Sequence, residues 1–130
     1  MTLEVNLHEV VEEVRAVFSR YEAALVTNDL PTLDQFFWDS PHTVRFGLAE
    51  EQYGFQEVSA FRHSLPRQTA PRVLDRTVVT TFGHDVATVT TEFRLVGADA
   101  HGRQSQTWVR TEGGWQIVSA HVSWPASSVA

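Results

Sequence analysis

The hydrophobic period of this chain changes once, near Arg72, and that change narrows the folds open to it. Before it, apolar residues recur at helical spacing. Leu7, Val10, Val11, Val14, Phe18, Tyr21 and Leu25 form one stripe of an amphipathic helix running to about Thr27. Asn6 with Glu9 three residues on resembles a capping box at its start. Asn28-Asp29 ends this helix, and Asp29 can cap a second, short one with Pro31 in its first turn and Leu30, Leu33, Phe36 and Phe37 as its apolar face. Asp39-Ser40-Pro41 stops it. Thr43–Phe46 and Glu50–Tyr53 read as short strands, followed by a third helix over Gly54–Leu65 with Phe55, Val58, Phe61 and Leu65 as its stripe. Pro66 terminates it.

From Arg72 on, Val- and Thr-rich runs take over. Val73–Phe82 and Val86–Val96 flank Gly83-His84-Asp85, a hairpin. A loop over Gly97–Gly102 leads to a second hairpin, Gln104–Thr111 and Trp115–Trp124 around Glu112-Gly113-Gly114. The order α-α-β-β-α-β-β-β-β predicts an α+β domain over residues 1–124, with one long and two short helices on one face of a strongly curved antiparallel sheet. Residues 125–130 read as a loose tail. A long helix closing a bent sheet makes a cone with one mouth, which suits a small ligand.

Several function classes drop out. The chain has no cysteine, which removes disulfides, thiolate catalysis and cysteine–zinc sites. Its net charge is −6 and its basic residues form no run, so a nucleic-acid surface is not expected. There is no apolar run of about 20 residues and no signal-peptide pattern, so the expectation is a cytoplasmic protein with no membrane partner. His8-Glu9-Val10-Val11-Glu12 has Glu12 where a zincin motif needs its second histidine. No metal or cofactor is therefore expected.

The candidate chemistry lies on a few side chains. Alternation puts Gln104, Gln106 and Trp108 on one face of their strand, and Trp115, Ile117, Ser119, His121 and Ser123 on one face of the next. Gln, Ser and His mixed with Trp and Ile suit a cavity wall that needs polar groups. Tyr21, on the inward stripe of the first helix, is either a core tyrosine or a hydroxyl donor inside the cone. Arg45 groups with Thr43 and against Val44 and Phe46, so alternation alone turns it toward solvent; facing inward, its planar fork would clamp a carboxylate. Arg103 reads as a solvated strand end. Glu92 is the mid-strand carboxylate that a lyase or isomerase would need.

The stretches Arg20–Leu30, Thr43–Phe61 and Trp108–Ser123 resemble the SnoaL-like, ketosteroid-isomerase-like (nuclear-transport-factor-two-like, cystatin-like) superfamily. Phe36–Gly47, Tyr53-Gly54, Ala60-Phe61-Arg62, Gly102–Thr111 and Ser119–Ser123 are similar to the narrower AtzH-like family of cyanuric-acid and oxalurate breakdown. That resemblance implies a cystatin-like cone, a homodimer packed through its sheets, and a metal-free amidohydrolase acting on a 1,3-dicarboxyurea-like substrate with loss of ammonia and carbon dioxide. Position by position, the tyrosine that ketosteroid isomerases use as an oxyanion donor falls on Tyr21, and their catalytic Asp falls at or next to Arg45. A cation there cannot abstract a carbon-bound proton, and the resemblance implies that Arg45 points inward. The expected site is then Tyr21 and Arg45 as catalytic residues, with Gln106, His121, His42, Trp108 and Ser119 binding a small anionic ureido-type substrate. The alternative is a non-catalytic accessory or ligand-binding subunit that partners a pathway amidase.

Overall fold

The computed structural model describes residues 2–66, 71–97 and 101–125. Helix α1 (His8–Thr27) lays Val10, Val14, Phe18 and Tyr21 into the core. Its start departs from the capping-box expectation. Leu7 occupies the N-cap position without a side-chain hydrogen bond, while Asn6, at φ 60°, is bound to the sheet. Its backbone N–H donates to the Thr81 carbonyl (3.0 Å) and its Oδ1 accepts from the Thr81 N–H (2.9 Å). A side chain that could have capped the helix instead pins the N-terminal segment to a strand. Asn28, in the left-handed region, ends α1. Asp29 caps α2 (Leu30–Phe36) through the Thr32 N–H (3.3 Å) and hydroxyl (2.7 Å), and α3 spans Phe55–Ser64.

The strands are β1 (Val44–Phe46), β2 (Glu51–Tyr53), β3 (Arg72–Phe82), β4 (Val86–Leu95), β5 (His101–Thr111) and β6 (Gly114–Ser123). They form one sheet in the order β2-β1-β6-β5-β4-β3. The element order is the one expected, but the sheet is mixed rather than wholly antiparallel, because β1 runs parallel to β6. The intervening β2, α3 and the two long hairpins carry the chain back to that edge, which local strand patterns cannot foretell. Beyond Pro125, the expected tail lies outside the described residues, as do residues 98–100 of the expected loop; His101 and Gly102 already belong to β5.

Two bulges shape the sheet. In β3, Asp75 pairs with Glu92 and Val78 with Thr90, so Arg76 and Thr77 together face Thr91. In β6, Ile117 pairs with Trp108 and Ser119 with Thr107, which leaves Val118 as an extra residue. Bulges bend and twist their strands, here curling the sheet around the helices. The apolar core, with Phe36, Phe37, Trp108 and Ile117 among its largest members, lies between the sheet and α1 and α2. At the closed end Glu13 of α1 accepts from the Trp115 indole N–H (3.0 Å) and pairs with Arg110 (2.8 Å). The indole hydrogen bond and then Arg110 hold the Glu13 carboxyl below the usual carboxylate range, and Glu13 in turn raises Arg110. No helix among the described residues is long and apolar enough to cross a membrane.

Candidate functional site

A recess of about 200 Å³ opens between α1, α3 and the inner sheet face, lined by Tyr21, Arg45, Arg62, Arg72, Gln104 and Gln106 on its polar side. A larger hollow, about 640 Å³, lies between Thr27–Pro31 and His63–Leu65. Its rim is mostly exposed residues, so it is a surface groove without buried polar groups, and the smaller recess carries the chemistry.

Tyr21 reaches the recess because the 3.6-residue period of α1 sets it in line with Val14 and Phe18. Four rings surround it: Phe18 (6.4 Å), Phe36 (6.5 Å), Phe37 (6.3 Å) and Trp108 (6.1 Å, perpendicular). Phe18 stacks on it and the other three stand edge-on, and such packing limits how the phenol can turn. Arg45 lines the same recess, against the solvent-facing direction that alternation favours and in agreement with the direction the resemblance implies. The inward phase is set by Thr43, which is fully buried, so Val44 and Phe46 face the other way. The Arg45 Nη1 donates to Gln52 Oε1 (2.9 Å) across the β1–β2 pair and to Glu50 Oε1 (3.0 Å), and its guanidinium lies 5.6 Å from the Phe61 ring centre. Only one nitrogen of the fork is taken by protein acceptors among the described residues, which leaves the rest to grip an anion.

The other expected residues divide. Gln106 lines the recess, and its Oε1 accepts from the buried Trp108 indole N–H (2.9 Å). Trp108 does not line the recess; it acts from behind, through Gln106. Ser119 and His121 face the opposite side of the sheet, contrary to expectation. The extra residue Val118 reverses the alternation after Ile117, so Ala120 and Val122 point inward in their place. His121 is exposed and stands edge-on to Phe46 (5.7 Å). His42 is also exposed, in the turn before β1, beside Trp38 (6.3 Å); Thr43 takes the inward place. Glu92 faces outward between Thr91 and Phe93 and meets His101 (2.9 Å), so it brings no carboxylate to the recess.

Three contributors were missing from the expected site. Arg62 lies four residues after Val58 and seven after Phe55, on the inward face of α3, so its position was readable from the helical period; it covers the Phe37 ring at 5.4 Å. Arg72 opens β3 and pairs through Nε (3.0 Å) and Nη2 with Glu22 on α1, a partnership 50 positions apart that no local pattern signals. Gln104 shares the inward face of β5 with Gln106. Among the described residues no group of three His, Asp or Glu is placed to hold a metal ion. The wall therefore presents guanidinium, amide and phenol donors to whatever enters, an arrangement fitted to an acceptor-rich anion.

Solved structures with this architecture are abundant. A Pectobacterium atrosepticum protein of unknown function is 48% identical, with a TM-score of 0.90 over 94% of this chain and 95% of its own. A cystatin-like fold protein from Burkholderia xenovorans is 47% identical, with a TM-score of 0.89 over 96% of this chain and 98% of its own. At 19% identity, a nuclear-transport-factor-two-like protein of unknown function from Pseudomonas putida shares the fold, with a TM-score of 0.80 over 94% of this chain and 93% of its own. No curated protein matches. The cystatin-like cone is thus shared across these chains, and since the AtzH-like family description matches residues 3–128, nearly the whole sequence, this chain belongs to the AtzH-like family.

Proposed function

We propose that the chain is an amidohydrolase acting on a small ureido or amide carboxylate of the 1,3-dicarboxyurea type, without a metal. The single observation that carries this reading is that Tyr21, from α1, and Arg45, from β1, line one recess. Arg45 binds a substrate carboxylate or the oxyanion that forms as water adds to the acyl carbon. Tyr21 takes the proton that the adding water gives up and passes it to the departing nitrogen as the C–N bond breaks, and the carbamate that leaves then decomposes to ammonia and carbon dioxide. The carboxylates of such a substrate offer acceptors to the Arg45 nitrogens and the Gln104 amide that the described residues leave free, and holding a reactive acyl carbon beside water in a fixed pose supplies much of the barrier lowering. A homodimer through the outer sheet faces belongs to the same proposal.

The test is turnover by the purified chain alone. Parent protein should release ammonia and carbon dioxide from freshly generated 1,3-dicarboxyurea. Tyr21→Phe should lower kcat about 100-fold or more, as loss of a general acid does, and Arg45→Ala should abolish saturable turnover. Parent rates in both variants would end this mechanism. Binding without turnover, with activity appearing only when an amidase is added, would favour an accessory subunit.

A further inference from the structure

Gln104 is 4% exposed, and its Nε2 has no hydrogen-bond partner among the described residues. Leaving a buried amide donor unpaired costs free energy comparable to a lost hydrogen bond, so a native fold keeps one for a reason. The orientation of this amide is not free. Its Oε1 accepts from Arg72 Nη2 (3.0 Å), and a guanidinium carries donors only. Turning the amide over would set its NH₂ against the Arg72 N–H groups. Arg72 is itself held from two sides, by the Glu22 carboxylate and by the Phe93 ring, 4.4 Å below its guanidinium carbon. The chain Glu22–Arg72–Gln104 thus aims one N–H pair. Gln104 lines the recess that also holds Arg45.

Gln106, two residues along the same inward face, repeats the device, with its Oε1 taken by the Trp108 indole N–H. The two residues sit about 7 Å apart along the β5 backbone, each with its side-chain carbonyl occupied and no acceptor on its amino group among the described residues.

We propose that Gln104 is a specificity-determining residue whose side-chain amide, aimed by Arg72 and Glu22, donates a hydrogen bond to an acceptor oxygen of the bound ligand. The site selects a carbonyl or carboxylate oxygen at that point and rejects an amino group, because an N–H facing an N–H leaves both unpaired. This deepens the proposed function, since it rests on the same recess being the ligand site. It requires only binding there, not hydrolysis.

Three stable probes test it: N-carbamoylglycine, malonate and oxamate, titrated calorimetrically into the parent, Gln104→Leu and Gln104→Glu proteins. The parent should bind at least one probe. Gln104→Leu should weaken that binding about 10- to 100-fold, the range for a hydrogen bond to a charged acceptor. Gln104→Glu, which keeps an oxygen on Arg72 but faces the ligand with a carboxylate, should weaken it further. On the parent protein, the Gln104 side-chain amide protons, assigned by their absence from the Gln104→Leu spectrum or by selective labelling, should move downfield when the probe saturates. Assigned by labelling, this readout needs no variant to fold. An unmoved amide signal at saturation, undiminished affinity in folded Gln104→Leu, or failure of the parent to bind any probe overturns the proposal. Probe binding through Gln104 without hydrolysis of any ureido acid would sink the amidohydrolase reading and leave this one standing. Turnover with kcat and KM untouched by Gln104→Leu would do the reverse.

Discussion

Removing the charge of Glu22 should destabilise the fold far more than removing both members of its ion pair. The Arg72 and Glu22 side chains are only 7% and 11% exposed, so each charge has given up most of its hydration for the other. Glu22→Gln keeps the shape and one oxygen facing the guanidinium but strands a cation between α1 and the Phe93 ring. Breaking a buried pair from one side costs about 3–5 kcal/mol; the retained amide contact and the residual exposure put the expectation at the lower end, about 3 kcal/mol. With an unfolding entropy of about 2.1 cal/mol/K per residue over this chain, that corresponds to a fall in Tm of about 11 °C. Arg72→Met introduced into Glu22→Gln removes the stranded charge and should return about 2 kcal/mol, since apolar replacement of a buried pair is often close to neutral. Urea denaturation followed by tryptophan fluorescence, with calorimetry at one fixed protein concentration, completes the double-mutant cycle. If the two substitutions simply add, the pair is not the coupled, desolvated unit described above.

Two further outcomes follow from particular contacts. Gly102→Ala should cost about 2 kcal/mol, within the range for overpacking, because a Cβ there would sit 2.4 Å from the Phe93 ring, itself buried under Arg72; an unchanged urea midpoint would show that the ring can move aside. Glu13→Gln should reduce stability at pH 7 by at most about 1 kcal/mol, given that both partners are half-exposed. Since the folded-state pKa of Glu13 is lowered, its contribution is present above the carboxylate range and is lost as the carboxyl protonates in the folded protein. The gap between parent and variant should therefore narrow as pH falls below the usual carboxylate range, and a gap that stays constant on acidification until the fold itself is lost would refute the assignment.

Much of this architecture can be read without coordinates. The 3.6-residue spacing from Val10 to Tyr21, the Asp29 cap and the alternating runs after Arg72 are consequences of local backbone geometry. They specify the helices, the hairpins and the inward side of α1, and with them Tyr21. Arg62 was equally legible from the period of α3. Local pattern stops where one strand is asked about another. Period-2 alternation holds only while no residue is inserted, and the bulge at Val118, visible only against the partner strand β5, turns Ser119 and His121 out of the recess and Ala120 and Val122 into it. Arg45 shows the same limit from the other side: three residues of β1 cannot say which face is buried until α3 and β2 cover one of them. The partnership of Glu22 with Arg72, and through it the direction of the Gln104 amide, exists only because folding brings positions 22, 72 and 104 together. Secondary structure is a near-neighbour property of the chain, whereas a binding wall is made of side chains whose charges and hydrogen bonds are balanced across distant segments, and that balance is decided in three dimensions.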